Sequence, residues 1–158
     1  MSVTGTKVGS YTLLLDRMFD PENHFWVEVL PPSPTRGSRV RVGMDPLGVE
    51  VSGTIAQLAF APLGSTVRRG EPFGNLEAAK FVGPLVAPIS GNVVAHNDAV
   101  LANPGLVERD PFGAGWLVDI DAADLAAESA FLLQGTERVL PWFERKIKEY
   151  RLKGVLAQ

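Results

Sequence analysis

The sequence contains no cysteine. A disulfide framework, thiolate metal sites and a cysteine nucleophile are therefore excluded, and any redox-active sulfur must arrive on a prosthetic group. Histidine is scarce too: His24 and His96 lie far apart, and no neighbouring carboxylates give a metal-ligand spacing, so no metal site is expected. Long hydrophobic runs are missing. The N-terminal stretch Leu13 to Leu15 is cut off by Asp16 and Arg17, too brief for a signal-peptide core or a membrane span. Arg is sparse before residue 36 while Asp16, Asp20 and Glu22 are already present, which does not fit a transit peptide. There is no excess of positive charge, the net charge being -3, so neither nucleic acid nor an anionic membrane is an expected partner. No nucleophile with a base and no phosphate-cradling glycine loop opening a helix is visible. The expectation is a cytoplasmic, monomeric protein with no catalytic residues of its own.

What is present suits a compact β fold. The 158 residues are 46% hydrophobic, enough for one domain spanning the chain. Gly and Pro recur between residues 31 and 115, separating strand-length apolar stretches at Arg39 to Val42, Gly53 to Phe60 and Asn92 to Ala95. That rhythm predicts a small barrel or sandwich. The segment Pro31 to Gly37 reads as a loop joining two antiparallel strands, His24 to Leu30 and Arg39 to Gly43. Val51-Ser52-Gly53-Thr54-Ile55-Ala56 is echoed by Ile89-Ser90-Gly91-Asn92-Val93-Val94, suggesting two related halves. Under that symmetry Lys80 matches Val42, which is then expected near a turn at the opposite end.

Beyond about residue 121 the pattern turns helical. Leu140, Phe143, Ile147 and Tyr150 form one stripe of a helix over Thr136 to Lys153, with Glu144 and Lys148 as an i,i+4 pair and Gly154 as its stop. Pro141 implies either a later start or a kink. Asp119, Asp121 and Asp124 read as a solvated, helix-capping junction.

One stretch carries chemistry. In Gly70-Glu71-Pro72-Phe73-Gly74-Asn75-Leu76-Glu77-Ala78-Ala79-Lys80-Phe81-Val82 a lone lysine stands between two strand-like runs, with small neighbours that leave a turn uncrowded. A lysine destined for acylation needs such a bend, to enter a modifying enzyme and then swing its cargo. Glu77, three residues earlier, offers that enzyme an acidic handle. By spacing alone, Lys80 reads more readily as an ordinary exposed hairpin lysine than as a carrier lysine.

Three blocks add to this reading: the one just quoted, from Arg68-Arg69 onward; Ala87-Pro88-Ile89-Ser90-Gly91-Asn92-Val93-Val94; and Leu101 to Val107 with Asp110-Pro111-Phe112-Gly113-Ala114-Gly115-Trp116-Leu117. Together with His24-Phe25-Trp26-Val27 they resemble the H protein of the glycine cleavage system, a lipoyl carrier related to lipoyl and biotinyl domains. The resemblance implies a mainly β barrel-sandwich hybrid of two small antiparallel sheets with C-terminal α-helices. The β core would span about residues 24–120 and the helical segment about 121–154. It also implies a covalent, amide-linked lipoate on Lys80, Glu77 as a recognition residue for the lipoate ligase or lipoyl transferase, and His24 as a groove residue. An isolated histidine before a buried tryptophan reads more readily as a structural hydrogen-bonder.

The chain departs from the family pattern at Phe25, at Met44-Asp45-Pro46-Leu47-Gly48-Val49, at Phe81 and in a longer tail from Trp142. The segment Asp45 to Val49, Leu76 to Val86 as a whole and the tail lean towards the lipoate-binding branch that serves a heterodisulfide-reductase-like complex in sulfur oxidation. The alternative is service to glycine decarboxylase, aminomethyltransferase and dihydrolipoamide dehydrogenase, with the arm carrying an aminomethyl group. A biotinyl domain is disfavoured by Ala79 and Phe81, where that family has methionines; an unmodified binding scaffold is the remaining rival.

Overall fold

The computed structural model describes residues 5–31 and 38–156. Apart from Pro31, the proline-rich connection lies outside them, but the strands that it joins pair antiparallel as expected, with Phe25 opposite Met44 and Val29 opposite Val40. Strands start earlier than the expected core: β1 (Thr6–Val8) and β2 (Tyr11–Leu13) form a hairpin around Gly9.

Two antiparallel sheets build the barrel-sandwich, and one of them is not small. The six-stranded sheet runs in the order β3 (Met18–Phe19), β4 (Phe25–Val29), β5 (Ser38–Met44), β11 (Val118–Ala122), β10 (Gly91–His96), β7 (Thr66–Val67). Against it stand β6 (Ile55–Phe60), β8 (Pro72–Ala78) and β9 (Val82–Val86) in the order β6-β8-β9. Alternation decides which side chains face inward. On β5, Val40 and Val42 are buried while Arg39 and Arg41 face outward, and on β8, Leu76 and Ala78 enter the core, as does Phe73, out of step with them beside a register shift between Pro72 and Gly74. That core is mostly aliphatic, joined by Phe25 and Phe73.

The echoed segments lead into β6 and β10, one in each sheet, but the matched positions are not alike. Val42 is fully buried in mid-strand between Val27 and Val118, not near a turn. The acidic junction also differs from expectation. Asp119 is wholly buried, and its carboxylate accepts hydrogen bonds from Arg39 (2.8 Å) and from Arg41 (2.8 and 3.1 Å). Cross-strand register brings these arginines over it, a relation invisible in local sequence. Asp124 does cap a helix, α4 (Leu125–Glu128), accepting from Ala127 N–H at 3.2 Å.

Three short helices decorate the barrel: α1 (Pro46–Ser52), α2 (Asp98–Ala102) and α3 (Gly105–Arg109). The first has a strong local cause. Asp45 is its N-cap, one carboxylate oxygen accepting from Leu47 and Gly48 N–H at 2.9 Å each, Pro46 opens the first turn, and Gly53 with φ 78° ends it.

Helix α5 (Thr136–Lys153) starts at Thr136 and runs through Pro141, and Gly154 ends it in the left-handed region. Its buried stripe is Val139, Trp142, Phe143 and Ile147, with Leu140 and Tyr150 half-buried. The expected Glu144–Lys148 pair is not formed. Glu149 instead pairs with Lys146 (3.2 Å) and Lys153 (3.0 Å), which hold its carboxyl below the usual range. The stripe packs on Val8, Leu13, Phe19, Trp26 and Leu47, a second core outside the barrel rich in aromatic contacts. Among the described residues, no helix is long and apolar enough to cross a membrane.

Candidate functional site

Lys80 lies in the tight connection between β8 and β9, exposed to solvent. The bend is closed by Ala78 N–H donating to Phe81 O at 2.9 Å. It is then tied to a different part of the chain: Ala79 N–H donates to Thr54 O, and Lys80 N–H to Ser52 O, each at 2.9 Å. Between those carbonyls sits Gly53, and a Cβ there would come within 3.1 Å of Lys80 Cγ and 3.3 Å of Ala79 Cβ. Positive φ and close approach both call for glycine at this position. The stem of Lys80 therefore rests on a backbone without side chain, and the end of α1 is the bed on which the turn lies. Among the described residues, the Lys80 amine has no hydrogen-bond or ion-pair partner.

Beside the turn lies a mainly apolar groove of about 410 Å³. Phe81, Pro84 and Val86 form one wall, Val51 and Met44 another, and His24 is in the lining. The residues present suit a long, thin acyl chain. The amine is free, an apolar channel begins at the next residue, and acylation would remove the charge that otherwise keeps the side chain in water.

His24 is 5% exposed and has φ 62°, a strained value outside glycine. Its Nδ1 lies 2.9 Å from Asp45 Oδ2, its Nε2 lies 2.7 Å from the Tyr150 hydroxyl, and its ring stacks on Trp142 at 5.7 Å. His24 thus makes two side-chain hydrogen bonds and also borders the groove. Tyr150 keeps its proton, because burial, then the negative charges of Glu149 and Asp45, push its hydroxyl above the ordinary phenol value.

Of the three residues expected from the sequence, the structure brings His24 and the Lys80 turn to one groove. Glu77 is exposed on β8 and borders a separate shallow depression with Gln57 and Asn75 on the smaller sheet. His96 is structural, its Nε2 2.7 Å from Ala61 O and its ring against Phe60. No group of three or more potential metal ligands occurs among the described residues. Sequence reasoning missed α1 as the bed of the turn, although Asp45-Pro46 followed by Gly53 is a helix start and stop; it also missed the pairing of Tyr150 with His24, for which no local signal exists.

The sequence model of the glycine cleavage H-protein family matches residues 19–140. Glycine cleavage system H protein 2 of Aquifex aeolicus (strain VF5) is 33% identical over 135 residues, covering 85% of this chain and 78% of that protein. The glycine cleavage system H protein of Corynebacterium jeikeium (strain K411) is 38% identical over 113 residues, covering 70% and 87%. Among solved structures, the crystal structure of a glycine cleavage system H protein from Mycobacterium marinum is similar, with a TM-score of 0.67 and 33% identity over 79% of this chain and 94% of that one.

Proposed function

The chain belongs to the glycine cleavage H-protein family, and from that premise we propose that it is a non-catalytic lipoyl carrier with its arm amide-linked to Lys80. The observation that carries the assignment to this lysine is a free, exposed amine on a bend pinned by Ser52 O and Thr54 O, next to Phe81 in the lining of an apolar groove. When attached, lipoate supplies the dithiol chemistry that a chain without cysteine lacks. The protein's own part is to hold the attachment point still, to offer the groove as a resting place screened from water, and to keep the arm at high local concentration near partner enzymes. Glu77, three residues before Lys80 on the same strand, serves as a handle for the lipoate ligase or lipoyl transferase.

The pathway proposed is glycine cleavage, in which the arm carries an aminomethyl group among glycine decarboxylase, aminomethyltransferase and dihydrolipoamide dehydrogenase. The relatives support this reading over the sulfur-oxidation preference, for which they offer nothing. Two of the departures behind that preference have structural roles. Asp45 to Val49 open a capped helix beneath the lysine turn, and the long tail completes the second core. The proposed form is a cytoplasmic monomer.

Two measurements test the reading. Lys80→Arg, incubated with lipoate and a ligase, is expected to fold normally and show no mass increase; label retained by that variant would move the attachment elsewhere. The lipoylated wild type should support glycine-dependent CO2 release by glycine decarboxylase, and failure to do so with verified lipoylation would remove the pathway assignment.

A further inference from the structure

We infer that Tyr150, on the C-terminal helix, is a positioning residue for the groove: its hydroxyl, donating to Nε2, fixes the orientation of His24, whose tautomer Asp45 sets, and through Asp45 that hold extends to the helix beneath the lysine turn. The inference rests on the proposed role of the groove as the resting place of the Lys80 arm.

The argument begins at Asp45, which is fully buried. One carboxylate oxygen already accepts two backbone N–H groups at the start of α1, and the other faces His24 Nδ1 at 2.9 Å. A carboxylate beside an imidazole lone pair is repulsive, so Nδ1 carries the hydrogen. In the neutral ring Nε2 is then an acceptor, and the Tyr150 hydroxyl at 2.7 Å is its donor. Both ring nitrogens are thereby occupied. His24 presents the groove with a fixed aromatic wall and no free base or donor for a cargo.

Fixing this wall needs more than one contact, because its backbone is strained. Helix α5 supplies two: the Tyr150 hydroxyl and the stacked Trp142 ring. Helix α1 presses from the other side, where a Cβ on Gly48 would come within 2.8 Å of His24 Cβ. The same α1 delivers Ser52 O to Lys80 N–H at its far end. A single continuous set of contacts thus joins the C-terminal helix, the groove wall and the attachment point.

The test uses full-length protein whose lipoylation is verified by intact mass and whose arm is reduced before use. With no cysteine in the chain, every thiol that reacts is the arm's. Iodoacetamide should alkylate the wild-type arm more slowly than free dihydrolipoamide, and Tyr150→Phe should raise that rate about fivefold, the factor expected for one lost hydrogen bond. Leu152→Ala, at a 90% exposed position on the same helix, should react as wild type. Long-range 1H–15N spectra should find His24 protonated on Nδ1 in the neutral ring, and Asp45→Asn, which turns an acceptor into a donor, should shift the hydrogen to Nε2. A Tyr150→Phe rate equal to wild type, or an Nε2–H tautomer in the wild type, would overturn the role of Tyr150. A wild-type arm as reactive as free dihydrolipoamide would overturn the groove reading itself, and the inference with it.

Discussion

The two hydrophobic cores of this protein are built on different terms. The barrel core lies between hydrogen-bonded strands, and most of its members are Val, Leu and Ile. The second core joins chain segments far apart in sequence, Val8 to Trp26 at one end and Val139 to Leu156 at the other, and relies on Phe19, Trp26, Trp142 and Phe143. In the barrel, backbone pairing fixes geometry and side chains fill it. In the outer layer the strands carrying Val8, Leu13, Phe19 and Trp26 are paired among themselves, but helix α5 meets them through side chains, so large rings in edge and stacked contacts supply both area and orientation. The barrel therefore gives Lys80 its bend, whereas the outer layer gives His24 its pose.

The sharpest way to separate the two is to hollow out the outer layer. Phe143→Ala removes a fully buried ring and should cost about 3–5 kcal/mol in urea unfolding. If the comparison holds, loss of near-ultraviolet aromatic signal should precede loss of β-sheet signal; coincident transitions would mean that the two cores act as one. A smaller effect is expected on the barrel side. Gly53→Ala forces a side chain into the left-handed region and towards Lys80 Cγ, at a cost of about 1–3 kcal/mol. Its clearest sign would be faster amide exchange at Ala79 and Lys80, with the β10–β11 pairing unchanged.

Alkaline pH should strain the outer layer alone, since both tyrosines of the chain reside in it. Burial, assisted for Tyr11 by a hydrogen bond to Glu50, raises both phenols above their ordinary value of about 10. The folded state thus retains protons that the unfolded chain releases, so their contribution is complete below pH 10 and declines as pH rises through the folded values. Unfolding followed at pH 8 and at successively higher pH should show that decline, and a Tyr11→Phe, Tyr150→Phe double variant should flatten it. Smallest of all, Glu149→Gln breaks two exposed ion pairs and should leave the melting temperature within experimental scatter.

Legibility in the sequence followed the same division. Strands, turns and the lysine bend were readable because Gly and Pro punctuation and residue alternation are local signals. The helix over Thr136 to Lys153 was readable from its periodicity, but its buried stripe was only partly so, since Trp142 joins it through contacts with Phe19 and His24, and Val139 as a member of the outer core. Asp119 was misread as solvated because its burial depends on Arg39 and Arg41, placed over it by sheet register. His24 was readable as a structural hydrogen-bonder, yet its partner Tyr150 lies 126 positions away. Whatever depends on partners brought together only by the finished fold left no mark in the neighbouring letters.

The bend at Lys80 borrows its shape from carbonyl groups nearly thirty positions upstream. A short synthetic copy of that loop would contain every letter and lack the conformation. For the attachment proposed at Lys80, the expected substrate of a loading enzyme is therefore the folded surface, and a chain that has lost these two backbone hydrogen bonds should be loaded more slowly.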